Sequence, residues 1–187
     1  MTSSAEPTVL VIFHSHLGWM AVIGAGDVLM QLTLAHRSPD AAARACSPEL
    51  LENARRGSWN EPLLRRLQAY ARGVPADFRD VRIDPGRLTA FQRRVVRRCR
   101  EIPYGKTLSY GQLAAEAGSP GAARAVGNCM AANRIPLIIP CHRVLRADQP
   151  SGGARRPGAY SAPGGTRTKK RLLALEGLHF ARGTVKK

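Results

Sequence analysis

The residue pattern of the chain changes at the tripeptide Asp84-Pro85-Gly86. Before it, short β-branched and apolar runs alternate with glycine-containing and polar turns, which is typical of β-hairpins. After it, apolar residues recur at helical spacing and the charge becomes strongly positive. A change of both period and charge at one turn-forming tripeptide predicts two units within an α+β fold. We place them at residues 1–87 and residues 88–187.

The first unit is predicted to form a small antiparallel sheet accompanied by helices. Strands are expected over Thr8–Phe13, Trp19–Ile23 and Val28–Ala35, with one more over Phe78–Ile83. Residues 39–57 are rich in Ala and Leu, with a break at Ser47-Pro48. The spacing of Leu63, Leu64, Leu67 and Tyr70 predicts a helix over Glu61–Arg72, in which Tyr70 counts as one more apolar residue.

The second unit is predicted to be mostly helical. Thr89 is a candidate N-cap for a helix whose apolar residues are Phe91, Val95, Cys99 and Ile102. Two short helices, Ser109–Ala117 and Ala122–Ala132, are joined by the turn Gly118–Gly121, a pattern that suggests a helix-turn-helix. Residues 147–166 contain many Gly, Pro and Ser residues and predict a long loop before a last helix, Thr168–Leu175.

The positive charge is concentrated in the second unit. Residues 1–88 contain ten Arg, no Lys and nine acids, whereas residues 89–187 contain nineteen Lys and Arg and four acids. Because affinity for polyanions grows with the number of phosphates neutralised, this asymmetry predicts a nucleic-acid partner. No apolar run reaches the length of a membrane span, and the first residues lack a basic segment. We therefore expect a cytoplasmic protein, nucleoid-associated if it is bacterial.

Residues 136–144 carry the clearest chemical signal. They read Pro-Leu-Ile-Ile-Pro-Cys-His-Arg-Val, so that Cys141 follows a short apolar run and stands beside His142 and the cation of Arg143. A neighbouring cation favours the thiolate, which is the reactive form of cysteine. Cys141 is therefore the candidate nucleophile. The remaining thiols are expected to be structural: Cys46, Cys99 and Cys129.

Neither a metal nor a cofactor is expected. His14, His16, His36 and Cys46 are possible ligands by residue type, but their spacing matches no zinc motif. The four cysteines show no C-x-x-C pairing, and without an export signal a disulfide framework is not expected.

Several separate motifs occur in an order that resembles one family. They are PYGKTLSYGQLA at 103–114, AARAVG at 122–127, Asn133, IIPCHRV at 138–144, Tyr160-Ser161, Gly164-Gly165, Lys169 and LLALEG at 172–177. Together they resemble the O6-alkylguanine-DNA alkyltransferases, or methylated-DNA–protein-cysteine methyltransferases, over roughly residues 88–178. The resemblance implies a variable supporting N-terminal domain followed by a winged helix-turn-helix-like domain that carries the active cysteine.

The resemblance also implies a reaction. A monomeric protein would extrude O6-alkylguanine from double-stranded DNA and transfer the alkyl group to Cys141 once, without a cofactor, leaving a thioether. His142 would act as the base through a water molecule, and Glu176 would orient its imidazole. Asn133 would brace the turn that bears the nucleophile, and Tyr110 would assist nucleotide rotation and donate to the departing guanine.

Further residues are assigned to DNA and to the guanine pocket by the same resemblance. Arg124 would take the place of the extruded base, on a helix kept slim by Ala122 and Ala123 so that it can approach a minor groove. Ser109 and Tyr110 would face DNA from the preceding helix. The pocket set is Met130, Pro136, Val144, Tyr160, Ser161 and Lys169. The stretch from Cys141 to Tyr160 is longer than is usual in the family and adds Arg146, Arg155 and Arg156.

Three other functions remain open from the sequence. A non-catalytic protein that binds alkyl lesions would share the fold, although such proteins usually lack the nucleophile. A transcriptional regulator would use the helix-turn-helix, but no Cys-rich N-terminal module accompanies it here. A cysteine hydrolase would also use Cys and His, although the adjacent pair and the basic surface fit such an enzyme poorly.

Overall fold

The structure, a computed structural model, describes residues 6–147 and 155–180. Part of the predicted loop over 147–166 and the basic tail from Arg182 to Lys187 lie outside the described residues. The α+β class expected from the sequence is confirmed. Within the described part of the chain, no helix is long and apolar enough to cross a membrane.

The N-terminal part is built on a five-stranded sheet in the order β4-β1-β2-β3-β5. Its strands are β1 Thr8–Ser15, β2 Gly18–Ala25, β3 Val28–His36, β4 Ala54–Arg56 and β5 Arg82–Ile83. The three central strands form the predicted antiparallel hairpins, whereas the two short edge strands pair in parallel with their neighbours. The strand predicted over Phe78–Ile83 shrinks to its last two residues, because the Val81 N–H donates to the Phe78 carbonyl and closes a turn.

Three helices accompany this sheet, namely α1 Pro39–Arg44, α2 Pro48–Leu51 and α3 Glu61–Ala71. The break predicted at Ser47-Pro48 separates the first two. In α3 the Asn60 side chain accepts from the Leu63 N–H and caps the first turn. Leu63, Leu64, Leu67 and Tyr70 lie on the buried face of α3, as their spacing predicts.

The C-terminal part contains α4 Ala90–Glu101, α5 Tyr110–Glu116, α6 Ala123–Ala131, a 3₁₀ turn Cys141–Arg143 and α7 Thr166–Leu175. Both α4 and α5 begin with a capping box, formed by Thr89 with Gln92 and by Ser109 with Gln112. A second sheet, in the order β6-β7-β8, joins Leu108–Ser109, Val144–Ala147 and Arg155–Arg156. The last strand lies inside the stretch predicted as loop, and its pairing with β7 forms a wing beside the α5–α6 pair.

One apolar core runs through both parts. The same cluster of buried residues includes Met20 and Leu67 from the N-terminal part and Val95, Leu113 and Leu172 from the C-terminal part. The two parts also share a backbone hydrogen bond, from the Leu32 N–H to the Arg134 carbonyl. The 3₁₀ turn that carries Cys141 is thereby held against both.

Candidate active site and DNA-facing cleft

The turn that carries Cys141 is braced by one asparagine. The Asn133 side chain donates from Nδ2 to the Ile139 carbonyl at 2.9 Å and to Cys141 Sγ at 3.1 Å, and its Oδ1 accepts from the Ile135 N–H at 2.9 Å. Between these contacts the backbone of Leu137 has φ 72°, a left-handed conformation that is costly for leucine. Asn133 therefore does more than end α6, because it fixes a strained turn and touches the sulfur.

The Cys141 sulfur sits in a buried position that disfavours its charged form. The residue is 4% exposed, and burial raises the pKa of its thiol above the ordinary value. The hydrogen bond from Asn133 and the nearby ammonium of Lys169 oppose that rise without cancelling it. A thiol in this environment is protonated at rest, so a base is needed to make the thiolate.

The cation near Cys141 is Lys169 rather than the adjacent arginine. Lys169 is 1% exposed, its Nζ donates to the Val144 carbonyl at 2.6 Å, and it lies 5.7 Å from the centroid of the Tyr110 ring. Burial lowers the pKa of Lys169 to about 8, although Cys141 and Cys99 act in the other direction. An ammonium held in so dry a position stabilises a thiolate strongly, because little water screens it.

Arg143 is turned away from Cys141 and toward Glu176, which corrects the role expected for it as the cation beside the thiol. Its Nε lies 3.0 Å from Glu176 Oε2, its second terminal nitrogen lies 3.0 Å from Oε1, and the other donates to the Ile102 carbonyl at 2.6 Å. The 3₁₀ geometry explains the change, because residues 141–143 wind in a tight turn instead of continuing the extended segment expected from the sequence.

His142 and Glu176 form a buried pair. His142 Nε2 lies 2.8 Å from Glu176 Oε1, and both side chains are 1% exposed or less. Burial lowers the pKa of His142 against the opposing effect of Glu176, so the imidazole is neutral near pH 7. Burial tends to raise the pKa of Glu176, but the hydrogen bonds and charges of His142 and Arg143 outweigh it and hold that pKa at about 2. The pair thus combines a neutral imidazole with a fixed carboxylate.

A tyrosine from the N-terminal part also contacts this pair, and the sequence did not predict that contact. The Tyr70 hydroxyl donates to Glu176 Oε1 at 2.7 Å and lies 3.2 Å from His142 Nε2. Its helical spacing predicted a core residue, which it also is, at 1% exposure. No local signal could reveal a contact to residues 72 and 106 positions away.

A cavity of about 1100 Å³ opens beside Cys141. It brings together most of the residues assigned to DNA and to the pocket: Ser109, Tyr110, Ala123, Arg124, Met130, Tyr160, Ser161 and Lys169. Its lining includes Cys141 and the first residues of α5 and α6. A large cleft between a helix pair and a buried thiol has room for a base that has left its stack.

Two pocket assignments fall outside this cleft. Pro136 lines a smaller cavity of about 230 Å³ on the other side of the Tyr160–Pro163 segment, between that segment and β3. Val144 is fully buried, and its carbonyl already accepts from Lys169. Ala122 precedes α6 and is half-buried but does not line the cleft, whereas Ala123 does.

Two of the residues assigned to DNA lie on the helix pair and differ in role: one caps a helix and the other is an exposed cation. Ser109 is 4% exposed and its hydroxyl accepts from the Gln112 N–H at 3.1 Å, so this side chain is used to start α5. Arg124 is exposed at the first turn of α6 and lines the cleft. Of these two residues, Ser109 therefore serves as a helix cap, whereas Arg124 presents a positive charge at the surface of the cleft.

A further arginine stands at the cleft mouth. Arg146 on β7 is exposed, lines the cavity and packs so closely on Gly158 that a Cβ there would lie 3.1 Å from Arg146 Cγ. The same Cβ would lie 3.8 Å from the Tyr110 hydroxyl oxygen. Gly158 therefore leaves room beside it for the Arg146 side chain and the Tyr110 hydroxyl, and Arg146 is a second exposed cation in the lining of the cleft besides Arg124.

The described residues hold no group of three His, Cys, Asp or Glu side chains close enough to share a metal ion. Cys46 lies in the N-terminal part, where its sulfur donates to the Ala42 carbonyl, and burial raises its pKa to about 11.

Comparison with known proteins adds names to this geometry. Residues 90–178 match the family model of the 6-O-methylguanine DNA methyltransferase DNA-binding domain. A methylated-DNA–protein-cysteine methyltransferase of Mycolicibacterium paratuberculosis is 39% identical over 153 residues, which cover 79% of this chain and 87% of that protein. One from Methanothermobacter thermautotrophicus is 40% identical over 116 residues, covering 62% of this chain and 60% of that protein.

Solved structures show the same likeness. The crystal structure of Mycobacterium tuberculosis OGT in complex with DNA superposes with a TM-score of 0.73 at 35% identity, covering 90% of this chain and 92% of that chain. The structure of Mycobacterium tuberculosis O6-methylguanine methyltransferase gives a TM-score of 0.69 at 34% identity, with the same coverage of both chains.

Proposed function

The chain belongs to the O6-alkylguanine-DNA alkyltransferase family, and on that premise we propose that it repairs alkylated DNA by transferring one alkyl group from guanine O6 to its own Cys141. It is a methylated-DNA–protein-cysteine methyltransferase whose partner is double-stranded DNA, and we propose that it works where that DNA is, in association with the nucleoid. Each molecule reacts once, because the thioether product is not reversed.

The first step makes the nucleophile. The Cys141 thiol gives its proton to Nδ1 of His142 through a water molecule, because Nε2 of that ring is held by Glu176. His142 Nδ1 is buried and has no hydrogen-bond partner among the described residues, so its lone pair remains for the proton. Lys169 and Asn133 then stabilise the thiolate, one by charge and one by a hydrogen bond.

The second step moves the alkyl group. The thiolate attacks the alkyl carbon, the S–C bond forms as the C–O6 bond breaks, and the electron pair of the broken bond passes to guanine. The Tyr110 hydroxyl and the Ser161 backbone N–H would stabilise the departing purine, a role supported by the presence of both residues in the cleft lining. Guanine gains one proton for the one that Cys141 has lost, so the reaction balances without a cofactor.

DNA binding positions the lesion for this chemistry. Because a stacked base cannot reach a buried sulfur, the nucleotide must rotate into the cleft, and Arg124, which lines the cleft at the start of α6, would occupy the gap it leaves. Arg146, which is exposed on β7 and lines the same cleft, would bind a DNA phosphate. Tyr160 and Met130 line the chamber that receives the base.

The observation that carries this proposal is the position of Cys141. All four cysteines are described and buried, yet Cys141 is the one that lines the large cleft beside the helix pair. It is also the one whose sulfur accepts from an asparagine side chain. Cys99 and Cys129 pack in the core of the same part of the chain.

Intact-mass measurement after incubation with a duplex containing one O6-methylguanine tests the proposal. We expect one CH₂ added per molecule, mapped to the peptide with Cys141, and no addition in Cys141→Ala. The matched control is Cys129→Ala, which removes another buried thiol of the same part and is expected to accept the methyl group normally.

The other outcomes separate the alternatives. Tight binding of the lesion without a mass change would show a damage-binding protein and refute alkyl transfer. Several guanines restored per protein molecule would show turnover, as in a hydrolase. Preference for one unmodified operator sequence over lesion-bearing DNA would show a transcriptional regulator.

A further inference from the structure

Tyr70 joins the N-terminal part of the molecule to the catalytic pair. It lies near the end of α3, and its hydroxyl reaches Glu176 at the end of α7, 106 residues later in the chain. Its ring meets the rings of Phe78, Tyr104 and His142 edge-on, with centroids 6.0, 6.2 and 6.5 Å away. A phenylalanine could make those ring contacts, so packing alone leaves the hydroxyl unexplained.

The carboxylate of Glu176 is surrounded by donors. Its Oε1 accepts from Tyr70 and His142 at 2.7 and 2.8 Å, and its Oε2 accepts from the Gly105 N–H at 3.1 Å. Arg143 donates to both oxygens. His142 and Arg143 donate from the 3₁₀ turn and Gly105 from the loop before β6, and Tyr70 is the donor that comes from the N-terminal part.

The Tyr70 hydroxyl can donate its hydrogen bond only to Glu176, of its two polar neighbours. Burial and then the charge of Glu176 raise the pKa of Tyr70 well above its ordinary value, so the phenol keeps its proton. A carboxylate only accepts, so that proton points to Glu176. The phenol oxygen, 3.2 Å from His142 Nε2, can then only accept from this nitrogen.

The tautomer of His142 follows from these contacts. Glu176 and the Tyr70 oxygen both require a proton on Nε2, which leaves the lone pair of the neutral ring on Nδ1. Nδ1 is the nitrogen without a partner among the described side chains, and it is the one the transfer reaction needs. Loss of the Tyr70 phenol would leave the Glu176 carboxylate and the His142 ring freer to rotate, and it would weaken the preference for a proton on Nε2.

We propose that Tyr70 is a positioning residue for alkyl transfer: through its hydroxyl, the N-terminal part of the chain fixes Glu176 and the Nε2–H tautomer of His142. This inference rests on the proposed function, because it assigns the pair its role as base and orienter. The N-terminal part would then contribute to catalysis as well as support the fold.

The variant Tyr70→Phe removes the hydroxyl and keeps the ring. We expect the rate of methyl transfer at saturating DNA to fall about tenfold, with the dissociation constant for lesion-bearing duplex unchanged within about twofold. A change confined to the rate at saturation separates positioning of the base from DNA binding. An unchanged rate in folded Tyr70→Phe overturns the proposal.

The pH dependence of the methyl-transfer rate gives a second readout, because a loss of stability alone would not shift it. The charged and titrating groups that interact with His142 are Glu176, Arg143, Lys169 and Tyr70. Without the phenol, Glu176 Oε1 has one donor fewer and stabilises a protonated imidazole better. The acid limb of the rate should therefore move up by about half a pH unit. An acid limb that stays in place contradicts the proposed coupling.

Tyr104→Phe is the matched control. Tyr104 also joins the two parts, because its hydroxyl donates to the Leu175 carbonyl at 2.5 Å and lies 3.4 Å from the Gly73 carbonyl oxygen, but among the described residues it makes no hydrogen bond to the His142–Glu176 pair. We expect it to lower the melting temperature while leaving the rate and the acid limb unchanged. Equal effects of both variants on the rate would reduce Tyr70 to a structural contact.

A measurement on the unaltered protein covers the case in which Tyr70→Phe does not fold. Imidazole ¹⁵N chemical shifts of His142 should show a proton on Nε2 and none on Nδ1 at neutral pH; a proton on Nδ1 overturns the proposal. Methyl transfer by the unaltered protein is measured in the same series. If it is absent, the proposed function fails; if it is present and Tyr70→Phe equals it, only the inference about Tyr70 fails.

Discussion

Replacing Lys169 by methionine should make the protein more stable at neutral pH and less active. The ammonium is 1% exposed, and its pKa falls from 10.5 to about 8 because burial disfavours the charge. At 1.36 kcal/mol per pKa unit, that drop corresponds to a cost of about 3 kcal/mol for keeping Lys169 charged in the folded state. Methionine is of similar length and carries no such cost.

The cost depends on pH in a defined direction. Below pH 8 the lysine is protonated in both the folded and the unfolded chain, so folding bears the whole penalty. Between about 8 and 10.5 the unfolded chain binds one more proton than the folded chain, so stability rises with pH until the penalty is gone. Lys169→Met also leaves the Val144 carbonyl without its donor, which costs about 1–3 kcal/mol at every pH.

These two contributions predict that the stability difference between the variant and its parent changes sign with pH. At pH 7 the variant should be more stable than its parent by up to about 2 kcal/mol, and at pH 10 it should be the less stable of the two. Urea unfolding at the two pH values measures both differences. Both proteins should carry Cys141→Ala, because the nearby thiol interacts electrostatically with Lys169 and its own ionisation would add to the pH dependence.

Lys170→Met is the matched control, since Lys170 is the next residue and is exposed. It should change stability by less than about 0.5 kcal/mol at either pH. With Cys141 present, Lys169→Met should slow methyl transfer about tenfold, because the thiolate loses its nearby cation. A stability difference that is the same at pH 7 and pH 10 would refute the argument that Lys169 is a strained buried cation.

Asn133→Asp should slow methyl transfer and destabilise the protein by about 2 kcal/mol in thermal unfolding, because the carboxylate cannot donate to Ile139 or to the sulfur and repels a thiolate; an unchanged rate would contradict its contact with Cys141. In the absence of DNA, Cys141 should react slowly with iodoacetamide at pH 7 and faster only at alkaline pH, because burial raises its pKa; rapid labelling at pH 7 would show a thiolate already present at rest. Arg146→Ala should lower the slope of log affinity against log salt by about one, measured by anisotropy titration, whereas Arg56→Ala on the far edge strand should leave the slope unchanged; equal slopes for all three proteins would remove Arg146 from the DNA interface.

Local pattern was sufficient for most of the elements. The hairpin strands follow from runs of β-prone residues between turns, and α4 follows from Thr89 and the apolar spacing behind it. These features depend on residues within a few positions of one another, so a single sequence contains them. The order of the motifs likewise indicated the family and pointed to Cys141. Asn133, which contacts the sulfur, lies only 8 residues before Cys141, so this contact also falls within a short stretch of sequence.

The electrostatics of the site could not be predicted in the same way. Lys169 stands beside Lys170 and Arg171, a run that is typical of a solvated helix face, yet it is turned into the core toward Val144. Arg143 follows Cys141 and His142 directly but bonds to Glu176, because the 3₁₀ turn redirects successive side chains. Both outcomes depend on contacts 25 to 33 residues apart, which no local period encodes.

The boundary predicted at Asp84-Pro85-Gly86 separates two patterns of sequence, but it does not separate two energetic units. The buried cluster that contains Leu67 also contains Leu172, so cutting the chain there would expose apolar surface on both fragments. It would also remove the phenol of Tyr70 from Glu176, leaving the carboxylate with one donor fewer. On the proposed role of Tyr70, the N-terminal part supplies a hydrogen bond to the pair of residues that the transfer reaction uses. The N-terminal part would then contribute to the chemistry through this one hydroxyl and support the fold elsewhere.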